Sequence, residues 1–456
     1  MKLNLIRPYF QKTGIFLLIF VCFLTEFRAE ESYYIEEGIY TDLNEALKNP
    51  TDVRVLNLSY RYLTTFPKGI EKFQNLKHLD LSENFFKTLP QEIGRLQNLQ
   101  ELNLSFNNNP IDLPQEIGRL QNLKRLNLSG NRLTTLPQEI WRLQNLQELN
   151  LSFNNNPIDL PQEIGRLQNL ERLNLSGNRL TTLPQEIGQL KKLEWLHVNH
   201  NRLTVLPKEI GQLQNLKQLL LYGNSLTTLP EEIGQLQKFK QLFLDENQLT
   251  TLPQGLCKLQ NLERIYLHQN RLTSLPQEIG QLQNLQELHL SSNQLKTLPK
   301  EIEKLHNLQI LNLNNNELTA LPEEIGQLQN LYGLNLKLNK LTILPKEIGQ
   351  LQNMGDLDLS DNQLTTLPSE IGQLKKLHSL NLSGNSLTSF PKEIGKLQNL
   401  KLLRLRGIPD LIPQKEKIRK LVPNAIMDFG EGPKLKRRTT QSRQRKSQNR
   451  RENHGN

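Results

Sequence analysis

The chain has 456 residues, a formal net charge of +10 and two cysteines, Cys22 and Cys257. Cys22 lies in an apolar N-terminal run and Cys257 stands alone, which excludes a disulfide framework. The charge is confined to the ends: residues 1–29 carry a net +3 and residues 431–456 a net +7, so the body between them is formally neutral, and electrostatic arguments belong to the tail.

Residues 1–29 read as a secretory signal peptide. Lys2, Arg7 and Lys12 precede an apolar run from Gly14 to Leu24, and polar Thr25-Glu26 and the small Ala29 follow it. The run is too short to span a bilayer but suits a signal core. Phe27 is bulky for the third position back from a cut after Ala29, so an uncleaved membrane anchor is the alternative. Cys22 would carry lipid only if Ile19-Phe20-Val21-Cys22 were a lipobox, and Val21 fits that poorly. The expected location is outside the cell, secreted or on the surface.

Residues 30–52 form an N-terminal capping segment. Thr41–Leu47, halted by Pro50, reads as a short helix with Leu43, Ala46 and Leu47 inward. Over residues 53–407 one phrase recurs, clearest as Leu170-Glu171-Arg172-Leu173-Asn174-Leu175-Ser176-Gly177-Asn178. Its anchor asparagines are Asn84, Asn107, Asn131, Asn154, Asn178, Asn201, Asn224, Asn247, Asn270, Asn293, Asn316, Asn339, Asn362 and Asn385. They stand 23 residues apart, or 24 after Asn107 and Asn154; Arg61 holds the anchor position of an earlier unit, giving about fifteen.

The leucines before each anchor alternate as in a strand with one buried face. So short a strand cannot bury them alone, so successive units must stack into a parallel sheet over a continuous leucine core. The fold class is therefore α/β: a leucine-rich-repeat solenoid curved as a horseshoe, with the sheet concave and short helices or irregular coil on the convex side. Each anchor asparagine should be buried, its amide satisfying backbone groups of adjacent coils. The proline of each unit ends the turn, and Glu-Ile-Gly-x-Leu begins the return segment. Residues 408–430 form the C-terminal cap: Ile408 replaces the anchor, Lys415–Val422 is an amphipathic helix burying Ile418 and Leu421, and Ile426 and Phe429 supply a last apolar cover.

With repeat and caps placed, the chain resembles the leptospiral family of 23-residue leucine-rich-repeat proteins. The matching phrases are Tyr40-Thr41-Asp42-Leu43-Asn44-Glu45-Ala46-Leu47 with its continuation to Leu56, the recurrent Leu-Pro-x-Glu-Ile-Gly-x-Leu-Gln-Asn-Leu, and Lys417-Ile418-Arg419-Lys420-Leu421-Val422-Pro423. The resemblance spans about residues 33–430. The repeat is also similar to that of plant Ras-group and animal Ras-pathway repeat proteins. The leptospiral resemblance implies a surface or secreted horseshoe that binds host-cell or matrix molecules in adhesion or virulence, without catalytic residues. The basic tail departs from the pattern, so the resemblance implies nothing for it.

Strand alternation turns positions six, four and two before the anchor outward on the concave sheet; the position just before the anchor is also accessible. Most units place Asn or Ser at the middle positions, but five successive units place His197, Leu220, Phe243, Tyr266 and His289 four before the anchor. Trp195, His200, Tyr222, Arg264 and His268 flank them. At a strand spacing of roughly 4.8 Å the stripe is about 19 Å long. Outward rings contribute little to the core behind the sheet, and aromatic/Arg clusters are the usual composition of interface hot spots. The alternative is repeat drift, since scattered exposed apolar residues need no explanation; contiguity over five units favours a protein or glycan partner.

Other clusters carry less. Glu101, Arg125, Glu148 and Arg172 alternate in sign on one outward row, as cross-strand pairs do. Asp356, Asp358 and Asp361 read as a solvated acidic face before a calcium site. His268 and His289 lack a third zinc ligand, and polar contact or pH-dependent binding fits them better. No metal, cofactor or small-molecule substrate is expected.

The tail residues Lys434, Lys436, Arg437, Arg438, Arg443, Arg445, Lys446, Arg450 and Arg451 lack apolar periodicity, which predicts disorder. An anionic polymer or surface is their expected partner, or water alone. No aromatics interleave them, so nucleic acid is not favoured. The reading is a non-enzymatic exported recognition protein; an intracellular signalling scaffold is the alternative. A ubiquitin-ligase effector, which would need a catalytic domain and a usable cysteine after the repeats, is not expected.

Overall fold

The computed structural model describes residues 38–107, 109–155 and 160–430. The expected signal peptide, Cys22 and the basic tail from Lys434 to Arg451 lie outside the described residues. The chain forms two compact units: the first runs through Asn131 and includes Pro137–Leu146, and the second holds Arg132–Leu136 and the chain from Gln147 onward.

In the first unit, β1 (Ile39–Tyr40), β2 (Val55–Asn57), β3 (His78–Asp80), β4 (Glu101–Asn103) and β5 (Arg125–Asn127) pair in parallel, one strand per repeat. Between β1 and β2 lies α1 (Leu43–Lys48). Asp42 caps it, Oδ1 accepting from the backbone N–H groups of Asn44 at 2.8 Å and Glu45 at 3.1 Å, which satisfies donors a helix start leaves orphaned. Ala46 is buried as expected, while Leu43 and Leu47 are half-buried. Arg61 departs from the anchor series because it serves the cap: its guanidinium donates to the Thr41 carbonyl at 2.9 Å.

In the second unit, β6 (Glu148–Asn150), β7 (Arg172–Asn174), β8 (Trp195–His197), β9 (Gln218–Leu220), β10 (Gln241–Phe243), β11 (Arg264–Tyr266), β12 (Glu287–His289), β13 (Ile310–Asn312), β14 (Gly333–Asn335), β15 (Asp356–Asp358), β16 (Ser379–Asn381), β17 (Leu402–Arg404) and β18 (Ile426–Asp428) pair in parallel. Each sequence position meets its equivalent in the next coil, as in Arg172, Trp195 and Gln218. One coil shows the core. Leu193, Leu196, Val198, Leu203, Leu206, Ile210 and Leu213 are all buried, each contributing about 1.5–3 kcal/mol by leaving water. The return segments are five-residue 3-10 turns such as Lys208–Gln212 behind Pro207; so short a stretch cannot repay α-helix nucleation. Gly211 is held to glycine because a Cβ there would stand 2.5 Å from the Glu232 carbonyl oxygen of the next coil. Cys257, in the equivalent position, is buried, and burial first, then Glu278 and Glu231, push its thiol up to about 12. It is an inert structural thiol.

The anchor asparagines are buried and bridge coils. Asn224 Nδ2 donates to the Leu221 carbonyl of its own coil at 2.9 Å and to the Val198 carbonyl of the preceding one at 2.9 Å, while its Oδ1 accepts from the Leu203 N–H at 3.0 Å. A second row of asparagines, nine residues before the anchors, does similar work at the surface: Asn215 donates to the Lys191 carbonyl at 2.8 Å and Asn261 to that of Gln237 at 2.8 Å. The strand period does not single this row out.

The residue just before the anchor adopts left-handed φ whatever its type, from Phe106 (54°) and His200 (54°) to Gln269 (54°) and Leu338 (56°). This turns the chain sharply off the strand. After Phe106, Phe153 and His200 the next coil carries glycine there: the His200 ring lies over Gly223, where a Cβ would meet Nδ1 at 2.5 Å.

The C-terminal cap differs from expectation. Ile418 in α2 (Lys415–Leu421) is buried, but Val422 rather than Leu421 completes the cover, because Leu421 lies across Gly395 and stays half-exposed. Ile426 is 73% exposed in β18, and Phe429 is half-buried with the Lys415 ammonium 5.4 Å from its ring centroid. The expected apolar cover is thus only partly made.

Candidate binding face

The ten residues singled out in sequence all lie in the second unit, on β8–β12 and the turns that follow. The strands bring the five residues of the stripe side by side in register. Their exposure differs from expectation: His197 and Leu220 are 5% and 4% exposed. Leu220 sits between His197 and Phe243 on the neighbouring strands, and at that spacing a short aliphatic side chain is covered by its larger neighbours. His197 turns along the sheet, its Nε2 2.7 Å from Gln218 Oε1. Burial first, then Arg172, against the Gln218 bond, lowers its pKa to about 4, so it is neutral at physiological pH.

Phe243, Tyr266 and His289 form a ring column. Successive centroids are 4.9 Å apart with interplanar angles of 3° and 7°. The spacing is that of the strands, so each ring covers part of its neighbour's face and Tyr266 is sandwiched. What the column offers outward is ring edges, the electropositive rim of the quadrupole. His268 meets Tyr266 and His289 edge-on, 6.3 Å from each. Arg264 Nε and His289 Nε2 each lie 3.0 Å from a different Glu287 oxygen. Burial pushes Glu287 upward, but these bonds outweigh it and hold the carboxyl below its usual range.

Trp195 stands apart from the column. The Arg172 guanidinium lies 4.3 Å and the Lys217 ammonium 5.1 Å from its ring centroid, so cations of this chain already hold it. His200 meets Tyr222 edge-on at 4.9 Å. Burial lowers the His200 pKa against the pull of Glu246, and burial raises that of Tyr222 against a bond to Asn199.

At the foot of the column His268 Nε2 is 3.2 Å from Asp245 Oδ1, which also accepts the His268 backbone N–H at 3.0 Å. Burial, reinforced by Glu246 and opposed by that N–H, raises Asp245 to about 7; burial, reinforced by His289, lowers His268 to about 4. The two have opposite effects on stability. Asp245, raised from 3.8, contributes stability in acid that is lost as pH rises through 7; His268, depressed from 6.5, contributes stability above 6.5 that is lost as pH falls through 4. Between those limits folded and unfolded chains both hold one proton on the pair, so the trends cancel. Relative to the wild-type curve, Asp245→Asn should lose thermal stability as pH falls from 6.5 towards 4, and His268→Asn as pH rises from 4 towards 7. Melting curves running parallel to wild type would contradict this.

The expected charge row is real within each unit: Arg125 pairs with Glu101, which also takes His78 at 2.9 Å, and Arg172 pairs with Glu148 at 2.9 Å. Such half-exposed pairs contribute under ~1 kcal/mol each. In the acidic patch Asp358 accepts from Ser360 and Asn381, Asp361 faces Lys337 at 3.6 Å, and Asp356 is exposed. Among the described residues no group of three or more His, Cys, Asp or Glu is placed to hold a metal, and no helix is long and apolar enough to cross a membrane.

The first unit also holds rings that the outward strand pattern does not select. Tyr60, Tyr62, Phe85 and Phe106 are exposed, Tyr62 at 79%, and Tyr62 stacks on Phe85 at 6.2 Å. They flank anchor positions rather than strand positions. Aromatics directly before or after the anchors of the first three units were the available signal.

A family model for a leucine-rich repeat region matches residues 151–225, 208–297, 288–358 and 333–423, and a leucine-rich-repeat model matches residues 51–108 and 107–156. No curated protein sequence matches the chain. Among solved structures, a leucine-rich-repeat protein of Leptospira interrogans is 48% identical, with a TM-score of 0.73 over 86% of this chain and all of that one. The plant peptide hormone receptor RGFR1, solved in complex with RGF2, is 33% identical, with a TM-score of 0.64 over 83% of this chain and 67% of the receptor. The functional domain of InlJ from Listeria monocytogenes shares the fold at 21% identity, with a TM-score of 0.57 over 80% of this chain and 72% of that one. With repeat, register and anchors in place, the chain belongs to the leucine-rich-repeat family, in its leptospiral 23-residue type, whose solenoids are protein-binding recognition scaffolds.

Proposed function

We propose that the protein is an exported, non-enzymatic recognition molecule of the adhesion or virulence type that binds a host or extracellular macromolecule on the strand face of β8–β12. The observation that carries this reading is the ring column. Phe243, Tyr266 and His289 are half-buried, parallel and in register, on the side of the sheet facing away from the leucine core. A column held this rigidly costs little further side-chain entropy on binding. The RGF2 complex of the plant receptor supports a polypeptide partner. So does the stacking itself: a sugar needs an open ring face, and neighbouring rings cover those of Tyr266.

Export rests on the N-terminal apolar run and an anionic partner on the basic tail. The test is binding to an array of extracellular proteins and glycans by the intact chain and by a variant with alanine at Trp195, Tyr222, Phe243 and Tyr266. Binding should be lost in the variant while its circular dichroism stays that of the parent. Equal binding would reject the strand face, and loss only on removing residues 431–456 would move recognition to the tail.

A further inference from the structure

We propose that Asp245 and His268, at the foot of the ring column, act as a one-proton switch that sets the charge of this part of the strand face. The pair is built by the fold. Asp245 follows β10 and His268 follows β11, 23 residues apart, and the 3.0 Å bond from the His268 backbone N–H fixes the carboxylate beside the imidazole, 3.2 Å from Nε2. Solvent reaches little of either, with 15% of the Asp245 side chain and 33% of the His268 side chain exposed.

The surrounding groups leave Asp245 with a titratable counter-ion. From its own turn Glu246 adds a second negative charge, and from the turn after β9 the neutral Tyr222 adds none. From β11 come Tyr266, neutral, and Arg264, which is committed to Glu287 at 3.0 Å. From β12 come His289 and Glu287, bound to each other at 3.0 Å. Among the described ion pairs, the one Asp245 makes is with His268.

A carboxyl and an imidazole at that distance share one proton, and the pair is neutral whether it is written as acid and base or as two ions. Releasing the proton leaves a largely desolvated carboxylate next to Glu246; adding a second makes the pair cationic. The opposed shifts, Asp245 up to about 7 and His268 down to about 4, put release near neutrality and the second uptake well into acid. If the strand face is where the partner docks, as proposed above, a partner bringing a cation gains affinity as pH rises past release, and one bringing a carboxylate loses it. The titration itself does not depend on that reading.

The test uses the full chain with 13C at Cε1 of its eight histidines, followed by NMR from roughly pH 5 to 9. The His268 resonance is assigned by its loss in His268→Asn. It should move in one step near pH 7 in the wild type. In Asp245→Asn that step should vanish, His268 titrating only in acid, with the His289 resonance reporting that the face remains folded. A wild-type chain with no His268 step near neutrality overturns the switch, whether or not the variant folds; so does a step that persists unchanged in Asp245→Asn. A clean switch with no partner on the strand face would instead refute only the docking site.

Discussion

Replacing Asn224 with alanine is expected to destabilise the second unit by roughly 3 kcal/mol. Truncation leaves the Leu203 N–H and one lone-pair site on each of the Val198 and Leu221 carbonyls without the amide that served them. The Leu203 N–H left unpaired costs about 1–3 kcal/mol, the bonds lost to the two carbonyls, which keep the amides of Asn201 and Asn247, add about 0.5–1.5 kcal/mol each, and little solvent reaches the buried site to compensate. The lesion also spans two coils, so the neighbours cannot close over it independently. Asn215→Ala is the internal control: it also removes an amide that bridges coils, but its bond to the Lys191 carbonyl is at the surface, where water substitutes and the loss should stay under ~1 kcal/mol. Chemical denaturation of the two variants checks the contrast, and equal losses would show that burial of the anchor is not what makes it matter.

The second large effect is on recognition. Tyr266→Ala alone is expected to weaken partner binding by more than about 30-fold, the effect of a central hot-spot residue losing ~2 kcal/mol or more. Tyr266 is the middle of the column, 4.9 Å from both Phe243 and His289, so its removal takes away its own edge and the stacking contact of both neighbours. Trp195→Ala should do less. Arg172 and Lys217 already occupy its surroundings, and they can re-solvate when the ring is gone. Surface plasmon resonance on single variants orders the two, and a greater loss for Trp195→Ala would shift the centre of recognition to β8.

The solenoid was legible in sequence because its determinants repeat. A leucine at a fixed offset in more than a dozen units fixes strand, register and buried face together, and the anchor asparagines announce themselves by their spacing. What period alone cannot fix is how unlike side chains pack on the free face. His197 and Leu220 follow the outward pattern yet are buried, Leu220 between the larger side chains of His197 and Phe243 and His197 by turning along the sheet onto Gln218. The same holds for the parallel stacking of Phe243, Tyr266 and His289 and for the two cations around Trp195, which depend on χ angles. The second asparagine row was present in every Gln-Asn-Leu phrase, but a polar residue in a return segment carries no signal that distinguishes a bridge from a solvated side chain. At the C-terminal cap the repeat ends, and with it the register that would have shown Val422 as the buried residue and Ile426 as the exposed one.

Partner contact is expected to fall on the ring column. Hydroxyl-radical footprinting of the full chain, free and bound to the partner identified on the array, measures this directly. Protection should concentrate at Phe243, Tyr266, His268 and His289, with Tyr60, Tyr62 and Phe85 oxidised equally in both states. Protection of Tyr60, Tyr62 and Phe85 with an unchanged column would instead place recognition on the first unit.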